Sequence, residues 1–145
     1  MSRRNKQSKP SETYFRFVNV DVLGAISMCF IGTDMARHEK SFASFMLNFN
    51  GKREPEYYWR MLNDFKESAQ KFHPSVDGAT FYPDSDADVP IVYLPKYEPR
   101  LLVHEVVHAV SRIMYVYGLE DGKHSEIRAY LTDFLFGKFS EGVKQ

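Results

Sequence analysis

The sequence predicts an α+β fold, a small, mainly antiparallel sheet packed on three helices. Three observations predict it. Short runs of β-forming residues bounded by turn signals, Tyr14–Val20 and Gly24–Ile31, occupy the N-terminal part. Three later stretches place apolar residues at helical spacing. The length, 145 residues with 43% hydrophobic content, closes one core and is short for two. We therefore expect a single domain over residues 13–145, preceded by a disordered basic tail over residues 1–12.

Taken in order, YFRFVNV alternates large apolar side chains with Arg16 and Asn19, as a half-buried strand does, and GAISMCFI is a second β-like run ended by Gly32. The two can pair as a hairpin or belong to a meander. From Thr33 to Asn50 the pattern is ambiguous: FASFMLNF alternates like a strand, while DMARHEKSFASFML tolerates a helix. Asn50-Gly51, the clearest turn signal in the chain, favours a strand ending there. Pro55 suits the first turn of a helix, and Tyr58, Met61, Leu62, Phe65, Ala69 and Phe72 keep helical spacing until Pro74 and Gly78 stop it. A short extended piece, ATFYP, follows. Asp84, Asp86 and Asp88 alternate as at the start of a calcium loop, but the glycine and later glutamate of such a loop are missing, so a solvated acidic loop is expected. Pro90–Pro95 reads as a short strand. A strongly apolar helix then starts near Glu98 or Pro99 and runs to Gly118, and a polar turn leads to a last helix, SEIRAYLTDFLFGKF, with Ser125 as its cap.

Nineteen basic residues balance nineteen acidic ones, so the molecule as a whole offers no field for steering onto nucleic acid or membrane. The local exception is the tail, where Arg3, Arg4, Lys6 and Lys9 cluster. No aromatic residue is interleaved there for stacking on bases, so a solvated tail is expected over a nucleic-acid arm. The one cysteine, Cys29, lies in an apolar run and reads as a buried small hydrophobe. No window approaches a membrane span or a signal peptide, which predicts a cytoplasmic protein.

The chemistry concentrates in His104-Glu105-Val106-Val107-His108. On a helix, residues four apart lie one above the other, so both imidazoles can turn toward one metal ion. Glu105 projects beside them, where it can reach a water as general base. With five histidines and ten glutamates in the chain, random order would give about 0.01 such patterns, so chance explains it poorly. A hydrolytic zinc site needs a third protein ligand and an open position. A third histidine on the same segment is ruled out, since Ser111 and Met114 stand where the longer motif would continue. The ligand must come from elsewhere.

On these residues the chain resembles the zincins, and within them the gluzincins, whose third ligand is a glutamate on a downstream helix. It is also similar to small metallopeptidase-like proteins of tailed bacteriophages, which join an extended segment, HExxH-A/V, a short turn and a helix carrying E-x-x-AY. The matching stretch runs from about Pro90 to Phe136. The resemblance implies a minimal zincin-like domain with His104, His108 and Glu126 as zinc ligands and Glu105 as catalytic base. His124, in the polar turn, is the alternative third ligand. Asp133 is a candidate partner for a ligating imidazole, and Tyr130 a candidate for transition-state support or, equally, a core aromatic. Ser125 and Tyr130 depart from the asparagine and aspartate common at those places in large gluzincins. In the same reading, Ile91–Leu94 stands where zincins have the edge strand that binds an extended substrate.

The implied function is zinc-dependent hydrolysis of a peptide or protein substrate, of metalloendopeptidase type, in the host cytoplasm if the chain is phage-encoded. The alternative is a non-catalytic phage-type inhibitor or assembly protein with a structural zinc site. Nucleic-acid binding would rest on the basic tail alone.

Overall fold

The computed structural model describes residues 13–20, 23–71, 77–82, 89–120 and 122–141. The basic tail, Phe72 and Pro74, and the loop with Asp84, Asp86 and Asp88 lie outside the described residues. The elements are β1 (Tyr14–Val20), β2 (Ala25–Ile31), α1 (Met35–Leu47), α2 (Pro55–Gln70), β3 (Ala79–Phe81), β4 (Ile91–Leu94), α3 (Pro99–Val116) and α4 (Ser125–Ser140). The strands form one sheet in the order β1-β2-β4-β3. β1 and β2 are an antiparallel hairpin with Phe17 opposite Met28, β2 and β4 run parallel, and β3 and β4 are antiparallel.

Three expectations are corrected. The stretch before Asn50-Gly51 is not a strand but α1, so four helices pack on the sheet rather than three. Its start is fixed by Asp34, whose carboxylate accepts from the Arg37 N–H at 3.0 Å and so satisfies one of the unpaired donors of the first turn. His38 and Phe42, one turn apart, are its buried positions. The second correction concerns Ile91–Leu94: β4 is not an edge strand but lies between β2 and β3. All four of its residues are buried, as suits a strand covered on both faces. Ser125 is also not the cap of the last helix. That position belongs to His124, which makes no side-chain capping bond.

The period-two alternation of the strands divides the core. One face carries Val18, Val20, Cys29, Ile31, Val92 and Leu94 against α3 and α4. The other carries Met28, Phe30, Ile91 and Tyr93, with Phe15 and Phe17 packed alongside, against α1 and α2. This second face is built of rings, with Phe30 and Phe65 stacked at a centroid distance of 3.9 Å and Phe65 edge-on to Tyr93 at 5.3 Å. Cys29 is fully buried, and that burial pushes its thiol well above the ordinary range, so it acts as an apolar filler.

α3 begins with the Glu98 carboxylate accepting from the Arg100 N–H at 3.0 Å, with Pro99 in the first turn. It ends where Gly118 takes a positive φ of 69° and the Leu119 N–H reaches back to the Met114 carbonyl at 2.8 Å, a closure that favours glycine. These two stops set the helix that carries HEVVH, and its buried side, Leu102, Val106, Ala109, Val110 and Ile113, fixes its rotation on the sheet. Among the described residues, no helix is long and apolar enough to cross a membrane.

Candidate metal centre

Because the apolar side of α3 is spent on the core, the remaining side must face outward, and His104 and His108 lie on it, both exposed. Their rings are neighbours, with centroids 4.9 Å apart and planes at 79°. Imidazole nitrogens are donors of the kind that a borderline-soft cation takes.

Glu105 is on a different side of the helix. It is 7% exposed and faces β3, whose Thr80 hydroxyl lies 2.8 Å from the Glu105 carboxylate and 3.0 Å from its main-chain carbonyl. A hydroxyl has one proton, so the two acceptors share it. Gly78 leaves room for this approach, since a Cβ there would stand 2.6 Å from Leu94 Cδ2 and 3.4 Å from Glu105 Cγ. One step along the strand exit, the Tyr82 hydroxyl donates to the His108 carbonyl at 3.2 Å, and the Arg112 guanidinium lies over the Tyr82 ring at 5.1 Å. Burial raises the Tyr82 phenol above its usual range, and the Arg112 charge opposes that shift. Neither Thr80 nor Tyr82 was indicated by the sequence, because their contacts with α3 span about 25 residues and follow no local spacing.

β3 is the last strand in the sheet order, so the edge strand beside the HEVVH helix is β3 and not β4. Its outer rim of N–H and C=O groups has no strand partner among the described residues.

The residues expected from α4 are placed less directly. Glu126 is exposed in the first turn, where a carboxylate also complements the helix dipole. His124 Nδ1 accepts from the Glu120 N–H at 2.9 Å, which ties that ring to the turn before α4 and leaves Nε2 as its other nitrogen. Tyr130 is 52% exposed and stacked beside Phe134, so it is not a core aromatic. Asp133 lines a groove between α3 and α4 with Val103 and Arg128, and Arg128 itself donates to Ser111 across the helix pair at 3.1 Å. Among the described residues, no three His, Cys, Asp or Glu side chains are gathered as a metal ion would need. The structure therefore brings together the two histidines, with Glu105 on the adjoining side, and does not bring Glu126 or His124 to them.

Compared with protein-family models, with curated proteins and with solved structures, the chain matches none significantly.

Proposed function

We propose that this chain is a zinc-dependent peptide hydrolase in which His104 and His108 hold the ion, Glu105 is the general base, and Glu126, which stands apart from the histidine pair in this structure, becomes the third ligand when the ion binds. The observation that carries the reading is the placement of HEVVH: an exposed imidazole pair on α3, with Glu105 turned from the same helix turn toward β3, the last strand in the sheet order. Neither packing nor capping calls for two exposed histidines at this spacing.

When bound, the ion supplies a Lewis acid that polarises a carbonyl and acidifies water. The chain's own residues do the rest. The edge of β3 binds an extended peptide through main-chain hydrogen bonds, which places a scissile amide along the strand and beside the histidine face. The Glu105 carboxylate takes the proton of the attacking water and delivers it to the departing amine nitrogen. The Thr80 hydroxyl fixes the direction of that carboxylate, and His124 is the alternative to Glu126 as third donor.

The test is Glu105→Gln, which keeps the size of the side chain and removes the base. Zinc content and fold should persist, while zinc-dependent cleavage of unfolded protein substrates should fall by about 10²–10⁴, the usual worth of general acid–base catalysis. Wild-type protein that holds zinc but cleaves no peptide or protein would pass the reading to a non-catalytic binding protein with a structural ion.

A further inference from the structure

The face of the sheet opposite α3 carries a second concave feature. The connection from α1 to α2, Asn48 to Glu54, folds back over the turn end of the β1–β2 hairpin, beside Asn19, Gly24 and Ile26. Its shape is fixed by close contacts: Phe49 packs edge-on to Tyr58 with centroids 5.0 Å apart, and the Arg53 N–H donates to the Tyr58 hydroxyl at 3.3 Å. A Cβ on Gly51 would stand 2.4 Å from both the Phe49 ring and the Tyr58 hydroxyl, so only glycine lets the loop close this far. The result is a preformed cleft of about 360 Å³, at the small end of the range that ligand sites occupy.

Its chemistry is one-sided. Ile26 and Tyr57 give it apolar walls, Asn19 and Asn50 bring side-chain amides, and its only charged lining residues among those described are Lys52 and Arg53. No carboxylate among the described residues pairs with either cation. The Arg53 guanidinium is steadied 4.6 Å over the Tyr57 ring; Arg60, 5.8 Å from the same ring, shares the adjoining groove with Glu54 and Glu56, so its charge is offset there and the cleft's own cations are Lys52 and Arg53. Lys52 Nζ lies 3.1 Å from where a Cβ on Gly24 would stand, so the ammonium leans over the hairpin end. In a molecule of zero formal net charge, a concave surface with two unneutralised cations is a local departure that favours an anion.

We propose that this cleft binds a small phosphorylated molecule, with the phosphate between Lys52 and Arg53 and the body against Ile26 and Tyr57. A carboxylate offers two coplanar oxygens that one guanidinium fork can satisfy. A phosphate monoester offers three oxygens and up to two charges, matched to a fork, an ammonium and two amides lining one cleft. The volume admits a body no larger than a nucleoside.

The experiment titrates the full chain separately with adenosine 5′-monophosphate, inorganic phosphate and adenosine, by NMR or calorimetry. The monophosphate should bind saturably at one site, with inorganic phosphate competing more weakly and adenosine weaker by more than about tenfold. Lys52→Gln and Arg53→Gln should each weaken the monophosphate by about 10- to 100-fold, as loss of a charge-assisted hydrogen bond does. Both side chains are exposed, so the folded spectrum should persist. His104→Ala should leave the binding unchanged, which separates this cleft from the histidine pair. The proposal is overturned if adenosine binds as tightly as its monophosphate, if the double variant binds like wild type, if His104→Ala abolishes binding, or if neither phosphate probe saturates.

Discussion

Two buried polar residues, Glu105 and His38, differ in how their burial is met. Glu105 has the Thr80 hydroxyl at 2.8 Å, whereas His38 has one ring nitrogen satisfied and one not. Its Nε2 is 2.9 Å from the Gly32 carbonyl, which can only accept, so Nε2 carries the proton and the buried Nδ1 is left bare. Burial among Phe30 and Phe65 lowers the His38 pKa below its ordinary 6.5, against smaller opposing effects of the Gly32 carbonyl and Asp34. Above pH 6.5 both folded and unfolded chains hold this ring neutral, and its contribution to stability does not vary. Below it the unfolded chain takes up a proton that the folded one resists, so stability is lost as the pH is lowered. Thermal melts of His38→Phe between about pH 6.5 and 5 should therefore show a shallower decline than wild type, and parallel curves would contradict this account of the ring. At the proposed metal site, Glu126→Ala should cost zinc affinity by orders of magnitude in a competition titration, and His124→Ala far less. The reverse order would assign the third ligand to the turn and end the gluzincin reading.

At the scale of elements, the aromatic face holds α2 to the sheet. Phe65→Ala should destabilise the protein by about 3–5 kcal/mol, the range for emptying a buried phenyl site, measured by denaturant unfolding. A loss under about 1 kcal/mol would mean that α2 does not depend on this stack. The hairpin, α2, β4, α3 and α4 were legible because each has a period or a stop of its own, such as Pro99 and Gly118 around α3. α1 was not. Phe42, Phe45 and Phe49 keep a helical count while Phe45, Leu47 and Phe49 keep an alternating one, and the Asn50-Gly51 signal weighted the choice toward a strand. The deciding interaction was Asp34 on the Arg37 N–H, twelve residues or more upstream of that signal. The order of the sheet was illegible for a different reason: which strand stands at the edge depends on pairings such as Met28 with Ile91, which no local pattern encodes. The same limit hid Thr80, while the spacing of His104, Glu105 and His108 needed only the helix to be recognised.

For the molecule as a whole, helices cover both faces of one sheet, and the two candidate sites fall on opposite sides of it. The HEVVH helix belongs to the face with α4, and the cation-lined cleft to the face with α1 and α2. Each site can therefore be altered without touching the core that supports the other, and variants at Lys52 or Arg53 should leave zinc content unchanged. The central claim is that the exposed pair on α3 holds a metal ion. Elemental analysis of the purified full chain should find about one zinc per molecule, the count that one such ligand set supports, and should find it lost in both His104→Ala and His108→Ala while circular dichroism shows the fold retained. Stoichiometric zinc kept by both variants, or none in the wild type after zinc is supplied, would contradict the claim.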